Sequence, residues 1–112
     1  MQEHRNRRTQ VIHVIATIEV NPDARSQFIT EFKQLVPMVH AENGCIEYGP
    51  AVDAGTDIDA QTEKGPNTVT VIEKWESVDA LKAHLVAPHM GEFREKVKDL
   101  VAGTTIHILE NA

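Results

Sequence analysis

The chain has 112 residues, a formal charge of −6 and 41% apolar residues, which suits one globular domain and excludes a disordered chain. Its basic residues form no stripe on any predicted element, which argues against nucleic acid as a partner, and no apolar run approaches the length of a membrane span. The single cysteine, Cys45, points to a reducing cytoplasm and reads as a small buried residue at a strand start rather than a nucleophile.

Residues 1–10 are polar, carry the cluster Arg5, Arg7 and Arg8, and lead into no apolar signal core. They read as a disordered tail before a single domain over 11–112. Residues 11–20 are rich in β-branched side chains and long enough for a strand buried on both faces. Asn21-Pro22-Asp23 then offers a helix cap, a proline for the first turn and an acid at the positive helix end. Phe28, Phe32, Leu35 and Val39 form a helical apolar stripe, with Pro37 expected to kink it and Asn43-Gly44 to end it.

The next run, 45–52, reads as a strand, and Pro50 assigns it to a sheet edge because a central strand would lose a ladder bond there. Residues 53–67 make a polar loop of the length that serves as a lid or a mobile connection. Residues 68–76 form a third strand with Val69, Val71, Glu73 and Trp75 on one face. Ser77 caps a helix, Pro88 restarts it at a new angle, and a stripe through Met90, Phe93, Val97, Leu100 and Val101 runs to Gly103. Residues 104–109 close the chain as a strand. The order β-α-β-β-α-β predicts an α+β ferredoxin-like sandwich with a four-stranded antiparallel sheet. Its helix-free face carries apolar side chains and needs a cover, so a homodimer packed through the sheet faces is expected.

Few groups are fit for chemistry. Glu73 shares its strand face with valines and Trp75, so burial is expected to raise its pKa, unless an ion pair claims it instead. Trp75 can wall a cavity for an aromatic ligand or serve as plain core. His84 and His89 can each act as a base near neutral pH, or else hold the helix to the sheet and cap its restart. Five residues apart with Pro88 between them, they do not match a helical zinc pair, and no metal centre is expected. His13 and His107 fit cross-strand packing, and His40 fits a helix terminus. There is no phosphate loop, dinucleotide fingerprint, Cys-x-x-Cys or Gly-x-Ser-x-Gly element.

Glu42-Asn43-Gly44-Cys45 with Tyr48, Glu73-Lys74-Trp75-Glu76-Ser77, Ala83-His84 and Pro88-His89-Met90 together resemble the antibiotic biosynthesis monooxygenase family. The resemblance spans roughly 11–110. Val36-Pro37, Tyr48-Gly49-Pro50, Val52-Asp53, Val71-Ile72-Glu73 and Ile106-His107-Ile108-Leu109 are similar to its quinol monooxygenase branch. It implies oxidation of a hydroquinone or phenol to a quinone with O₂ and no flavin, haem or metal. His84, His89 and Glu73 would then be catalytic, while Trp75, Tyr48, Phe93 and Met90 would line the substrate slot. Haem-degrading relatives place a histidine where this chain has Arg94 and an asparagine where it has Ala16-Thr17, so haem is disfavoured. Two other readings stand: a dimeric ligand-binding or stress protein without turnover, and an isomerase of a small phosphorylated metabolite.

Overall fold

The computed structural model describes residues 10–112, so the expected tail lies, Gln10 apart, outside the described residues. Strand β1 (Ile12–Val20) is followed by α1 (Arg25–His40), β2 (Cys45–Ala51) and β3 (Thr68–Trp75). Helices α2 (Val78–Leu85) and α3 (Pro88–Val97) then precede β4 (Val101–Glu110). The strands pair antiparallel throughout in the order β2-β3-β1-β4. This is the ferredoxin-like α+β fold, with Pro50 on an edge strand where its missing N–H costs least.

The β1–β3 register sets the inner face. Ile12 lies opposite Trp75, Val14 opposite Glu73 and Ala16 opposite Val71, and all six are buried. Against them pack Phe28, Phe32, Leu35 and Val39, the stripe that the three-and-four spacing predicts for α1. Strand β1 is covered on one side only. His13, Ile15 and Thr17 stay half-buried, so the alternation has period two and the strand is not buried on both faces.

Three boundaries differ from expectation for tertiary reasons. Asn21 does not cap α1, because its side chain donates to the Asp99 carbonyl and its backbone N–H to Leu100. The helix starts at Arg25 instead, with no side-chain cap, after a turn in which Asp23 takes φ +68°. Helix α3 ends at Val97, and β4 begins at Val101, so Leu100 and Val101 leave the helical stripe and Gly103 lies within a strand. Val101 is drawn into the sheet by pairing with Val20 across a β-bulge. The loop after β2 is pinned at its neck rather than loose. The Asp53 carboxylate accepts from the backbone N–H groups of Lys64 and Gly65 at 2.9 and 2.8 Å, and Arg25 donates to the Gly65 carbonyl.

Candidate active site

Between the helices and the inner sheet face lies a cavity of about 440 Å³, a size that holds a small aromatic molecule. Its walls are mostly apolar, and four of the chain's five aromatic residues build them: Phe28, Phe32, Tyr48 and Phe93. Their rings pack in contact, with centroids 5.3 Å apart for Phe32 and Tyr48 and 5.6 Å for Phe32 and Phe93. Met90 completes this wall, so Met90, Phe93 and Tyr48 all line the cavity.

Two buried ionisable side chains that line the cavity are Glu73 and His84. Glu73 points inward because β3 alternates, and among the described residues no cation pairs with it. Burial pushes its pKa up to about 7; the hydrogen bond from Trp75 opposes the rise and the negative charge of Glu42 adds to it. Trp75 is not a wall of the slot. It is wholly buried one layer behind, where its Nε1–H donates to Glu73 Oε1 at 2.9 Å and leaves the other carboxyl oxygen uncommitted to it. Tyr48 faces Glu73 across the β2–β3 ladder, and burial raises its pKa far above the ordinary phenol value, so it keeps its proton and can donate.

His84 is held from behind. The Glu42 carboxylate lies 3.0 Å from its Nδ1 and 2.5 Å from His89 Nε2. A carboxylate accepts and does not donate, so each imidazole presents an N–H to Glu42. His84 therefore carries its proton on Nδ1, and Nε2 is left as the lone-pair nitrogen of a ring that lines the cavity. Burial lowers the His84 pKa, the hydrogen bond and charge of Glu42 raise it, and the nearness of His89 and Arg94 lowers it again. His84 is thus a neutral base at pH 7 with an anion poised to stabilise its protonated form.

Glu42 is the residue that sequence reasoning missed. It sits in the turn after α1, and a close approach of two turns brings it beneath α2. Gly44 takes φ +83°, and its carbonyl accepts from the Glu76 N–H at 2.8 Å. A Cβ at Gly44 would stand 2.6 Å from the Ala80 Cβ, so only glycine allows both the angle and the approach. Ser77 fixes the other side by accepting from the Ala80 N–H at 3.0 Å, the cap its sequence position predicts.

His89 does not line the cavity and does not cap α3, whose N-cap is Ala87. It reaches the site only through Glu42. Although the two histidines lie on separate helices, they converge on one carboxylate, because the break at 86–87 lets α3 pack against α1 and bring His89 to the turn that follows it. Among the described residues no group of three or more His, Cys, Asp or Glu side chains could hold a metal ion. Cys45 is half-buried and its thiol is pushed up to about 11, chiefly by burial, so it is no nucleophile at neutral pH. His13 bonds the Asn111 side chain and His40 bonds the Tyr48 carbonyl, both away from the cavity.

A ferredoxin-like sheet backing an aromatic-walled cavity, with a buried histidine and a buried carboxyl on its lining, defines a small-molecule site. The model of the antibiotic biosynthesis monooxygenase family matches residues 11–96, and the chain belongs to that family. It is 37% identical over 102 residues to "Probable quinol monooxygenase YgiN" of Escherichia coli K12, covering 89% of this chain and 97% of the relative. It is 31% identical over 87 residues to "Putative monooxygenase YcnE" of Bacillus subtilis, covering 78% and 82%. A conserved protein from Methanosarcina mazei shares the fold with a TM-score of 0.78 at 24% identity, over 93% of this chain and 95% of that one.

Proposed function

We propose that the protein is a monooxygenase that oxidises a hydroquinone or phenol to a quinone with O₂, using no bound metal, flavin or haem. The observation that carries this reading is the neutral, Glu42-backed His84 together with a carboxyl of pKa about 7 on the buried lining of an aromatic-walled cavity. His84 Nε2 takes the phenolic proton, and the resulting anion is electron-rich enough to pass one electron to O₂. Apolar walls hold the radical pair together until a C–O bond forms at a ring carbon bearing hydrogen. Glu73, in its protonated form, supplies the proton to the peroxide. Loss of water, with the ring hydrogen leaving as a proton, yields the new carbonyl. One O₂ is consumed; one oxygen atom enters the product and the other leaves as water. Tyr48 donates to the developing oxyanion, and Met90 and Phe93 hold the ring.

The test is O₂ uptake by metal-stripped protein with a menadiol-type hydroquinone under ¹⁸O₂. Uptake above background that survives chelation, with one labelled oxygen per product, is expected. Background uptake, or stoichiometric hydrogen peroxide with unlabelled product, sinks the reading.

We also propose that the working form is a cytoplasmic homodimer packed through the outer sheet face. Ile72 and Leu109 lie there 40% and 49% exposed, beside half-buried Ile15. Ile72→Lys is expected to shift the sedimentation coefficient from dimer to monomer. A wild-type chain that sediments as a monomer at micromolar concentration would end this part of the proposal.

A further inference from the structure

The mouth of the cavity carries a chemistry that the reaction leaves unused. Arg94 and Lys98, one turn apart and both exposed, line it where α3 ends. Arg94 Nη2 donates to the Leu85 carbonyl at 2.7 Å, which fixes the guanidinium at the rim, since Leu85 lines the cavity too. Lys98 pairs with its neighbour Glu95 at 2.6 Å, an exposed i,i+3 pair of the kind that costs little to exchange. Lys96, in the same turn, reaches the opposite way to Glu31 at 3.5 Å. The helix dipole therefore accounts for cations in this turn but not for two of them on the cavity. The carboxyl on the cavity lining is Glu73, and it is buried. In a chain of net charge −6, the entrance to an apolar cavity is locally cationic.

We propose that the aromatic substrate bears a carboxylate in addition to its reacting hydroxyl, and that Arg94 and Lys98 bind this group. The proposal rests on the aromatic-substrate reading above. The lining extends along β1 from the level of Val14, opposite Glu73, to Ile18, four residues away. That is about 13 Å at strand rise, room for a two-ring system in the cavity, and Arg94, bonded to the carbonyl of the residue after His84, stands near enough for its charge to act on His84. A guanidinium takes a carboxylate with two parallel hydrogen bonds, and the lysine adds a movable charge. An anion at the mouth also keeps the polar end of the substrate in contact with water while the reacting ring is dry.

The test is anaerobic calorimetric binding of 6-hydroxy-2-naphthoate against 2-naphthol, two redox-stable phenols that differ only by the carboxylate. The acid is expected to bind about tenfold more tightly, the ratio produced by one charge-assisted contact of modest strength. The ratio falls towards one in Arg94→Gln with Lys98→Gln, and part of the way in Lys98→Gln alone, which leaves the Leu85 contact in place. Rising salt compresses it in the wild type. General damage to the pocket would weaken both ligands in parallel and leave the ratio standing. Equal affinities, or a preference that survives both substitutions, overturn the anionic substituent while leaving the aromatic site intact. Failure of both naphthols to bind overturns the aromatic reading and this proposal with it.

Discussion

His84→Ala is expected to bring hydroquinone-dependent O₂ uptake to background, and Glu42→Gln to lower kcat about 100-fold while the protein stays folded. In the proposed reaction the alanine removes the lone pair that takes the proton, and no other histidine lines the cavity to replace it. The glutamine keeps the size of the side chain but removes the negative charge that stabilises the imidazolium formed when His84 is protonated. It also sets an amide N–H₂ against one of the imidazole N–H groups that Glu42 now receives. Loss of an orienting carboxylate behind a catalytic histidine costs on the order of 10²–10⁴ in rate. A purely structural role for Glu42 would leave the titration of His84 unchanged. Because the hydrogen bond and charge of Glu42 hold the His84 pKa up against burial, their removal must lower it further. Imidazole titration by NMR should therefore show the His84 midpoint moving down in Glu42→Gln. A wild-type rate or an unmoved midpoint in that variant would remove Glu42 from the mechanism.

The difference in legibility between Glu73 and Glu42 has a physical cause. Glu73 lies within a strand whose alternation decides its direction two residues at a time, so Val71 and Trp75 declare it inward-facing before any fold is known. Local rules of the same kind gave the Ser77 cap and the edge position of Pro50. Glu42 lies in a turn, where no period operates, and its partners are 42 and 47 residues away. Only the packing of Gly44 against Ala80 carries it to them. Trp75 shows the limit of an inward-facing assignment: alternation places it on the core side but cannot tell a wall from the layer behind it. Asn21 and Val101 illustrate tertiary override, since hydrogen bonds between the two chain halves take precedence over a local cap and a local helical stripe.

Glu73→Gln is expected to cut turnover about 100-fold and, in the same protein, to raise stability at pH 8. The first effect follows from the loss of a transferable proton, since an amide can donate a hydrogen bond but cannot protonate a peroxide. The second follows from linkage. In the unfolded chain the carboxyl titrates near 4.5, whereas in the fold burial holds it near 7. Between those values the folded state binds the extra proton, so stability from this group is full at low pH and falls as pH rises through 7. At pH 8 the wild type bears the cost of a buried carboxylate, on the order of 3 kcal/mol from the size of the shift. Glutamine does not ionise and can still accept from the Trp75 N–H. Its Tm advantage should thus be small at pH 4.5 and grow to about 10 °C at pH 8. Trp75→Phe supplies the complementary result. Removing the hydrogen bond that restrains the Glu73 pKa should move the alkaline limb of the pH–rate profile upward, and in Glu73→Gln that limb should vanish. A Glu73→Gln enzyme with the wild-type rate and profile would leave Glu73 as a buried carboxyl without a part in the reaction.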